Sequence, residues 1–235
     1  MKKLLFALLL APLAAFASSE LALDQAPDKS NDMAALQHGA QVFVNYCLGC
    51  HGASYMRYNR LKDLALSDAQ IKDNLLFTAD KVGEPMRIAM QRADAKQWFG
   101  AAPPDLTVIA RARASEAGSG ADWLYTYLRT FYRDDSRPTG WNNVVFANVG
   151  MPHVLWELQG DQVMGADHKL QLAKPGKLKP EEYDAVVADL VAYLQYMGEP
   201  MAQFRKQLGI IVLIFLAVLF VFAYALKREY WKDVH

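Results

Sequence analysis

Cysteine is scarce in this chain: among 235 residues there are two, Cys47 and Cys50. One pair cannot make a disulfide framework, and a zinc knuckle wants about four ligands where no second pair exists. Net charge is missing as well, since 25 basic residues meet 25 acidic ones. No nucleic-acid partner is expected. Internal repeats and low-complexity tracts are absent, and the length suits one substantial domain with appendages.

Both cysteines sit in one motif, Cys47-Leu48-Gly49-Cys50-His51. A C-x-x-C-H run reads as covalent c-type haem attachment. Two thiols on one turn can add across the two vinyl groups of a haem, and the next histidine can give an imidazole nitrogen to the iron. A thioredoxin-like dithiol would want a βαβ context, whereas the flanking pattern here is helical.

The two ends of the chain carry the long apolar runs. Met1–Ala17 has a basic start at Lys2 and Lys3, an apolar stretch, and an A-x-A site at Ala15-Phe16-Ala17. It reads as a secretory signal peptide. Between Gln207 and Leu226 no residue is charged, and twenty helical residues span about 30 Å, the thickness of a bilayer core. Arg205-Lys206 and Lys227-Arg228 flank the run, with Tyr224, Tyr230 and Trp231 where interfacial aromatics belong. The expected division is a signal peptide at 1–17, an exported domain at 18–204, a transmembrane helix at 207–226 and a cytoplasmic tail at 227–235. The exported part holds 18 basic and 23 acidic residues, a surface that can steer a basic partner.

Between the ends the pattern is mostly helical. Ser18–Ser30 reads as an extended arm, and Ser30 or Asn31 can cap a helix beginning near Asp32. Met33, Leu36, Ala40, Phe43, Val44 and Cys47 recur at helical spacing, so this helix delivers the haem motif at its end. Gly39 leaves room for another helix to cross closely. Short helices are expected at Leu61–Leu66, at Ser67–Leu76 with Ser67 as cap, and within Gly83–Phe99, ending at Gly100. Tyr55, Tyr58, Met86, Met90, Trp98 and Phe99 could line a haem pocket or simply fill the core. Pro103-Pro104-Asp105-Leu106 marks a rigid corner before a short helix bearing Arg111 and Arg113. Ala121–Tyr132 reads as a helix with Trp123, Tyr127, Leu128 and Phe131 on one face. Arg133–Gly150 reads as loop, and Leu155–Leu172 as one short hairpin. Pro180 opens the last soluble helix, striped by Tyr183, Val186, Val187, Leu190, Leu194 and Met197.

A haem with one histidine ligand needs an account of its other axial position. A thioether there suits electron transfer; an open site binds gases or peroxide. The candidates are Met56, Met86, Met90, Met151, Met164, Met197, Met201, His153, His168 and His235. Met151 stands out because it sits in a loop between helices, with Gly150 allowing close approach and Pro152 stiffening the presentation. His153 is the nearest rival and reads as a surface or rim residue.

A helix leading into C-x-x-C-H, a Met-bearing loop and a closing helix resemble the class I cytochromes c. The expected fold is mainly α, a haem domain of that type with inserted segments plus one C-terminal transmembrane helix. The succession C-L-G-C-H (Cys47–His51), P-P-D-L (Pro103–Leu106), R-A-R (Arg111–Arg113), P-T-G (Pro138–Gly140) and G-M-P (Gly150–Pro152), followed by an anchor, is similar to the cytochrome c1 family. These are the haem-c subunits of the ubiquinol–cytochrome c oxidoreductase (bc1) complex.

That resemblance implies one covalent haem c, with Cys47 and Cys50 as the thioether pair, His51 and Met151 as the axial pair and Arg113 meeting a propionate. It implies no catalytic residue, only electron relay, within an enzyme complex that oxidises quinol. The partners would be cytochrome b and Rieske iron–sulfur subunits, a soluble or tethered cytochrome c acceptor and the lipid bilayer. The place would be a bacterial inner membrane with the haem domain in the periplasm. A different anchored monohaem cytochrome delivering electrons to an oxidase is the alternative. A haem gas sensor or peroxidase and a haem-free membrane dithiol protein are further ones.

Overall fold

The computed structural model describes residues 22–234. The signal peptide expected at Met1–Ala17, and His235, lie outside them. About half the chain is helical, and the domain is organised around two helices distant in sequence. The first, α1 (Met33–Val42), is capped by Asp32, whose side chain accepts the Ala35 N–H at 3.1 Å. The cap is therefore neither Ser30 nor Asn31. Ser30 instead accepts a hydrogen bond from Gln203 at 2.6 Å, which ties the arm to the base of the anchor.

The second is α7 (Pro180–Gly198), opened by Pro180 as expected and burying Tyr183, Val187, Leu190, Val191, Leu194 and Met197. α1 and α7 cross at Gly39. A Cβ there would lie 2.7 Å from the Asp189 carbonyl carbon and 2.8 Å from Tyr193 Cβ, with the Asp189 oxygen nearer still. Only glycine allows the two backbones to approach this closely. Phe43, one residue past α1, packs on Tyr193 with ring centroids 5.6 Å apart.

Between them the chain builds smaller pieces. β1 (Ala53–Arg57) pairs antiparallel with β2 (Pro85–Met86), and a 3₁₀ turn spans Tyr58–Leu64. α2 (Asp68–Asn74) starts on a Ser67–Gln70 capping box, as the sequence suggested. Of the Gly83–Phe99 stretch, only α3 (Arg92–Phe99) is helical, closed by Gly100 at φ 77°. Its first part goes to β2 because Met86 is drawn into the core and is fully buried. α4 (Ile109–Ala112) carries Arg111, and Arg113 caps its end. α5 (Gly120–Arg129) begins on a Ser119–Asp122 capping box.

The larger departure from expectation is a sheet. Phe131–Arg133 leaves the helical pattern as β3, and the polar run Trp141–Asn143, expected as loop, is β4 paired antiparallel to it. After a short α6 (Trp156–Gln159), β5 (Gly160–Met164) and β6 (Leu170–Pro175) form the expected hairpin. β5 joins β3 in parallel, giving the order β4-β3-β5-β6. Asn143 explains β4, because its buried amide donates to the Tyr127 carbonyl and accepts from Val145 and Phe146 N–H groups. A buried polar side chain needs such partners.

The arm from residue 22 is extended and strapped across the helices. Asp24 N–H donates to Thr126 and Ala26 N–H to Asp122, while Lys29 pairs with Asp189 at 2.6 Å. α8 (Ala202–Tyr230) has 29 residues, a mean hydropathy of 3.0 over its most apolar window, and nothing buried against the domain. By length and composition it can cross a membrane.

Candidate functional site

α1 runs into one π-helical turn at Phe43–Cys47 and then a tight turn in which the Cys50 and His51 N–H groups donate to the Cys47 carbonyl. That compact turn sets both thiols and the imidazole at one end of the α1–α7 pair. A cleft, open to solvent at its mouth, lies there. Its walls are Tyr46, Cys47, Cys50 and His51 from the motif and Phe99 with Ala101–Pro104 from the loop after α3. Leu106, Ile109 and Arg113 add the α4 side, and Trp123, Leu124, Tyr127 and Leu128 add α5. Phe146 and Val149–Pro152 with Val154 come from the loop after β4, and Leu190 and Leu194 from α7. The fold thus brings Cys47, Cys50, His51, Arg113 and Met151 to one cavity.

His51 is almost fully buried, and its Nδ1 lies 2.8 Å from the Pro104 carbonyl. Burial lowers its pKa, opposed by that hydrogen bond and by the charge of Asp105. A neutral ring donating from Nδ1 keeps its Nε2 lone pair for another acceptor role. The Pro104 carbonyl is itself held in place. Leu106 N–H donates to the Gly52 carbonyl, and the Asp105 carboxylate accepts from Ser54 N–H and from Thr107. The P-P-D-L corner therefore functions as a clamp beside His51.

Burial, with Cys50 adding to it, pushes the Cys47 thiol up to about 12. A dithiol oxidoreductase needs the opposite shift. Met151 is half-buried, and its Sδ accepts a hydrogen bond from the Tyr127 hydroxyl at 3.4 Å. Burial raises the Tyr127 pKa, so the phenol stays a neutral donor. Arg113 makes no ion pair among the described residues; its guanidinium lies 4.4 Å from the Trp123 ring centroid and 5.6 Å from that of Phe146. Trp123 in turn stacks on Tyr127 at 4.7 Å.

Of the six aromatic and methionine residues considered as pocket liners, Phe99 reaches the cleft. Tyr58 and Met86 are core, Tyr55 and Trp98 are exposed, and Met90 is half-buried outside the cleft. His153 corrects the sequence reading: it is buried at 2 % exposure, not at a rim. Sequence reasoning treated Tyr127 as one more core-facing residue of its helix; its hydroxyl was the available signal, because a buried phenol needs a partner.

The Cytochrome C1 family model matches residues 24–234. The chain is 52% identical, over its whole length and 98% of the relative, to a Nitrosomonas europaea protein named ammonia monooxygenase gamma subunit. It is 48% identical to the cytochrome c1 of Allochromatium vinosum over the full length of both. It is 30% identical to that of Rhodospirillum rubrum, over 86% of this chain and 83% of the relative. With the family match running from the arm through the apolar C-terminal helix, the chain belongs to the cytochrome c1 family, the membrane-anchored subunits that carry covalent haem c in ubiquinol–cytochrome c reductase.

Proposed function

We propose that this chain takes single electrons from a Rieske iron–sulfur domain and passes them to a cytochrome c, through one haem c seated in the cleft. The observation that carries the reading is the convergence of Cys47, Cys50 and His51 with Met151 in one apolar cavity. The donor set fits the group: two thiols and an imidazole on one turn, a thioether, and a lone guanidinium in an otherwise apolar wall. Cys47 and Cys50 would hold it covalently, His51 Nε2 and Met151 Sδ would ligate its iron, and Arg113 would meet a propionate. When bound, a haem supplies the one-electron iron couple, whose potential a thioether ligand raises.

The protein's residues make no bond in turnover and none is catalytic; they set position and surroundings. His51 is fixed in tautomer and angle by the Pro104 carbonyl. The apolar walls keep water from the ligand side, which strengthens every charge interaction within. Tyr127 orients the Met151 sulfur. Arg113, stacked on Trp123, presents a cation that makes no ion pair among the described residues.

The placement follows from the ends of the chain. Residues 1–17 would be a signal peptide and 18–204 a periplasmic domain, with 207–226 crossing a bacterial inner membrane and 227–235 cytoplasmic. The acidic excess of the domain would steer a basic cytochrome c within about a Debye length.

The test is reduction by quinol. Membranes containing the chain should reduce its haem rapidly when given a quinol analogue, and an inhibitor of the quinol-oxidation site or of Rieske docking should stop it. The name carried by the Nitrosomonas europaea relative motivates a second reading, an anchored cytochrome serving a membrane monooxygenase. Inhibitor-insensitive reduction would favour that reading, or an oxidase-linked carrier, over the relay.

A further inference from the structure

His153 is a polar side chain in a place that favours apolar ones. It is 2 % exposed, lies flat on Phe131 with centroids 4.8 Å apart and planes 6° from parallel, and meets Trp141 edge-on at 5.0 Å. Its side chain faces that of Gln159, yet among the described residues neither His153 Nε2 nor Gln159 Oε1 makes a hydrogen bond of good geometry, while Gln159 Nε2 donates to the Arg129 carbonyl at 2.8 Å. An orphaned polar atom in a core has a cost that calls for a reason.

The contacts around it form a closed ring. Met151 is joined through Pro152 to His153. His153 stacks on Phe131, and Phe131 packs edge-on against Tyr127 at 5.0 Å. The Tyr127 hydroxyl then returns to the Met151 sulfur at 3.4 Å. Pro152 removes one backbone rotation from the short covalent side of the ring. The other side is three side chains locked by packing. Met151 is thus held twice, by its backbone through His153 and by its sulfur through Tyr127, and both holds bear on Phe131.

We propose that His153 is a positioning residue for Met151: its ring, clamped between Phe131 and Trp141, keeps the Met151 loop closed over the cleft. The proposal rests on Met151 being an axial ligand. It does not require His153 to touch the bound group, and His153 does not line the cleft. The device concerns how long the thioether stays in place.

Imidazole, a small external ligand for ferric haem, provides the probe, because it can bind only when Met151 leaves. The detergent-solubilised, haem-loaded full chain is compared as parent, Met151→Leu, His153→Leu and His153→Phe. Met151→Leu should abolish the methionine-to-iron charge-transfer band and remove the gate on imidazole. In His153→Leu the band should persist while imidazole binding accelerates about three- to tenfold, the range an aromatic pair commands. His153→Phe, which restores a flat ring on Phe131, should return the rate to within about twofold of the parent. A merely structural histidine would lower the unfolding midpoint without moving the imidazole rate.

A band that survives Met151→Leu sinks the ligand assignment and this proposal with it. A lost band there, with His153→Leu binding imidazole at the parent rate, overturns the positioning role alone. So does His153→Phe behaving like His153→Leu. If His153→Leu does not accumulate, Phe131→Leu loosens the same ring from its other side and should show the same acceleration. A parent-like rate in that variant overturns the proposal.

Discussion

Gly39→Ala pits two effects against each other, and the structure decides between them. In an exposed helix the change would stabilise by about 1 kcal/mol through propensity alone. At the α1–α7 crossing the new methyl would fall 2.7 Å from the Asp189 carbonyl carbon and 2.8 Å from Tyr193 Cβ. These are backbone and Cβ atoms, which cannot rotate aside as the end of a long side chain can. The helices must separate by several tenths of an ångström or more, loosening Phe43 on Tyr193. Overpacking of this kind costs about 1–3 kcal/mol, and the rigid neighbours put it at the upper end. The net loss is about 2 kcal/mol, or roughly 4–8 °C in Tm for a chain of this size. Because α1 leads directly into Cys47–His51, and Leu190 and Leu194 of α7 line the same cleft, the yield of haem-loaded chain should fall as well. Thermal unfolding of the detergent-solubilised protein by circular dichroism reads the first effect, and haem absorbance per chain the second. Gly209→Ala, with nothing near its added Cβ, is the control that isolates propensity and should leave the midpoint unchanged or raise stability by at most about 1 kcal/mol. An unchanged or raised midpoint for Gly39→Ala would refute the close crossing.

Three further outcomes follow from the same geometry. Haem should stay with the parent chain through acid–acetone extraction, whereas Cys50→Ala should leave at most one thioether and little loaded protein; quantitative extraction from the parent refutes the covalent reading. Asp105 is desolvated, which raises its pKa, but hydrogen bonds from Thr107 and Ser54 outweigh this and hold it below the usual carboxylate value. Its stabilisation is therefore present above about pH 4 and lost as pH falls through the lowered value, so Asp105→Asn should flatten the acid limb of an unfolding-midpoint profile, and an unaltered limb would count against the clamp. A chain ending after Gln203 should partition into the aqueous phase and the intact one should need detergent; aqueous recovery of the intact chain would remove the anchor.

The parts of this fold that could be read from sequence are those in which local chemistry decides the outcome. The C-x-x-C-H turn needs only neighbours in sequence, and so do the Ser67 capping box and the uncharged run that becomes α8. Gly39 was legible because a glycine inside an apolar helical stripe has few other reasons to be there. The sheet was not. β3 and β4 are three residues each, too short to show an alternating pattern, and β3 continues the helical stripe of α5 without a break in composition. What stops the helix is tertiary: Asn143 claims the Tyr127 carbonyl, and Gln162 donates to the carbonyls of Arg129 and Phe131.

The same distinction explains why Met151 was found and its surroundings were not. Gly150 and Pro152 mark a presented side chain in three consecutive letters. The burial of His153 depends on Phe131 and Trp141, which reach it only once β3 and β4 have paired. A histidine after a proline, taken alone, is expected at a surface. The sheet that propensity did not reveal is what turns His153 inward and brings Phe131 between it and Tyr127. The strands missed by periodicity and the seat of the methionine loop are therefore one structural fact. A change that unpairs β3 from β4, such as loss of the Asn143 amide, should loosen the Met151 loop although Asn143 itself does not line the cleft.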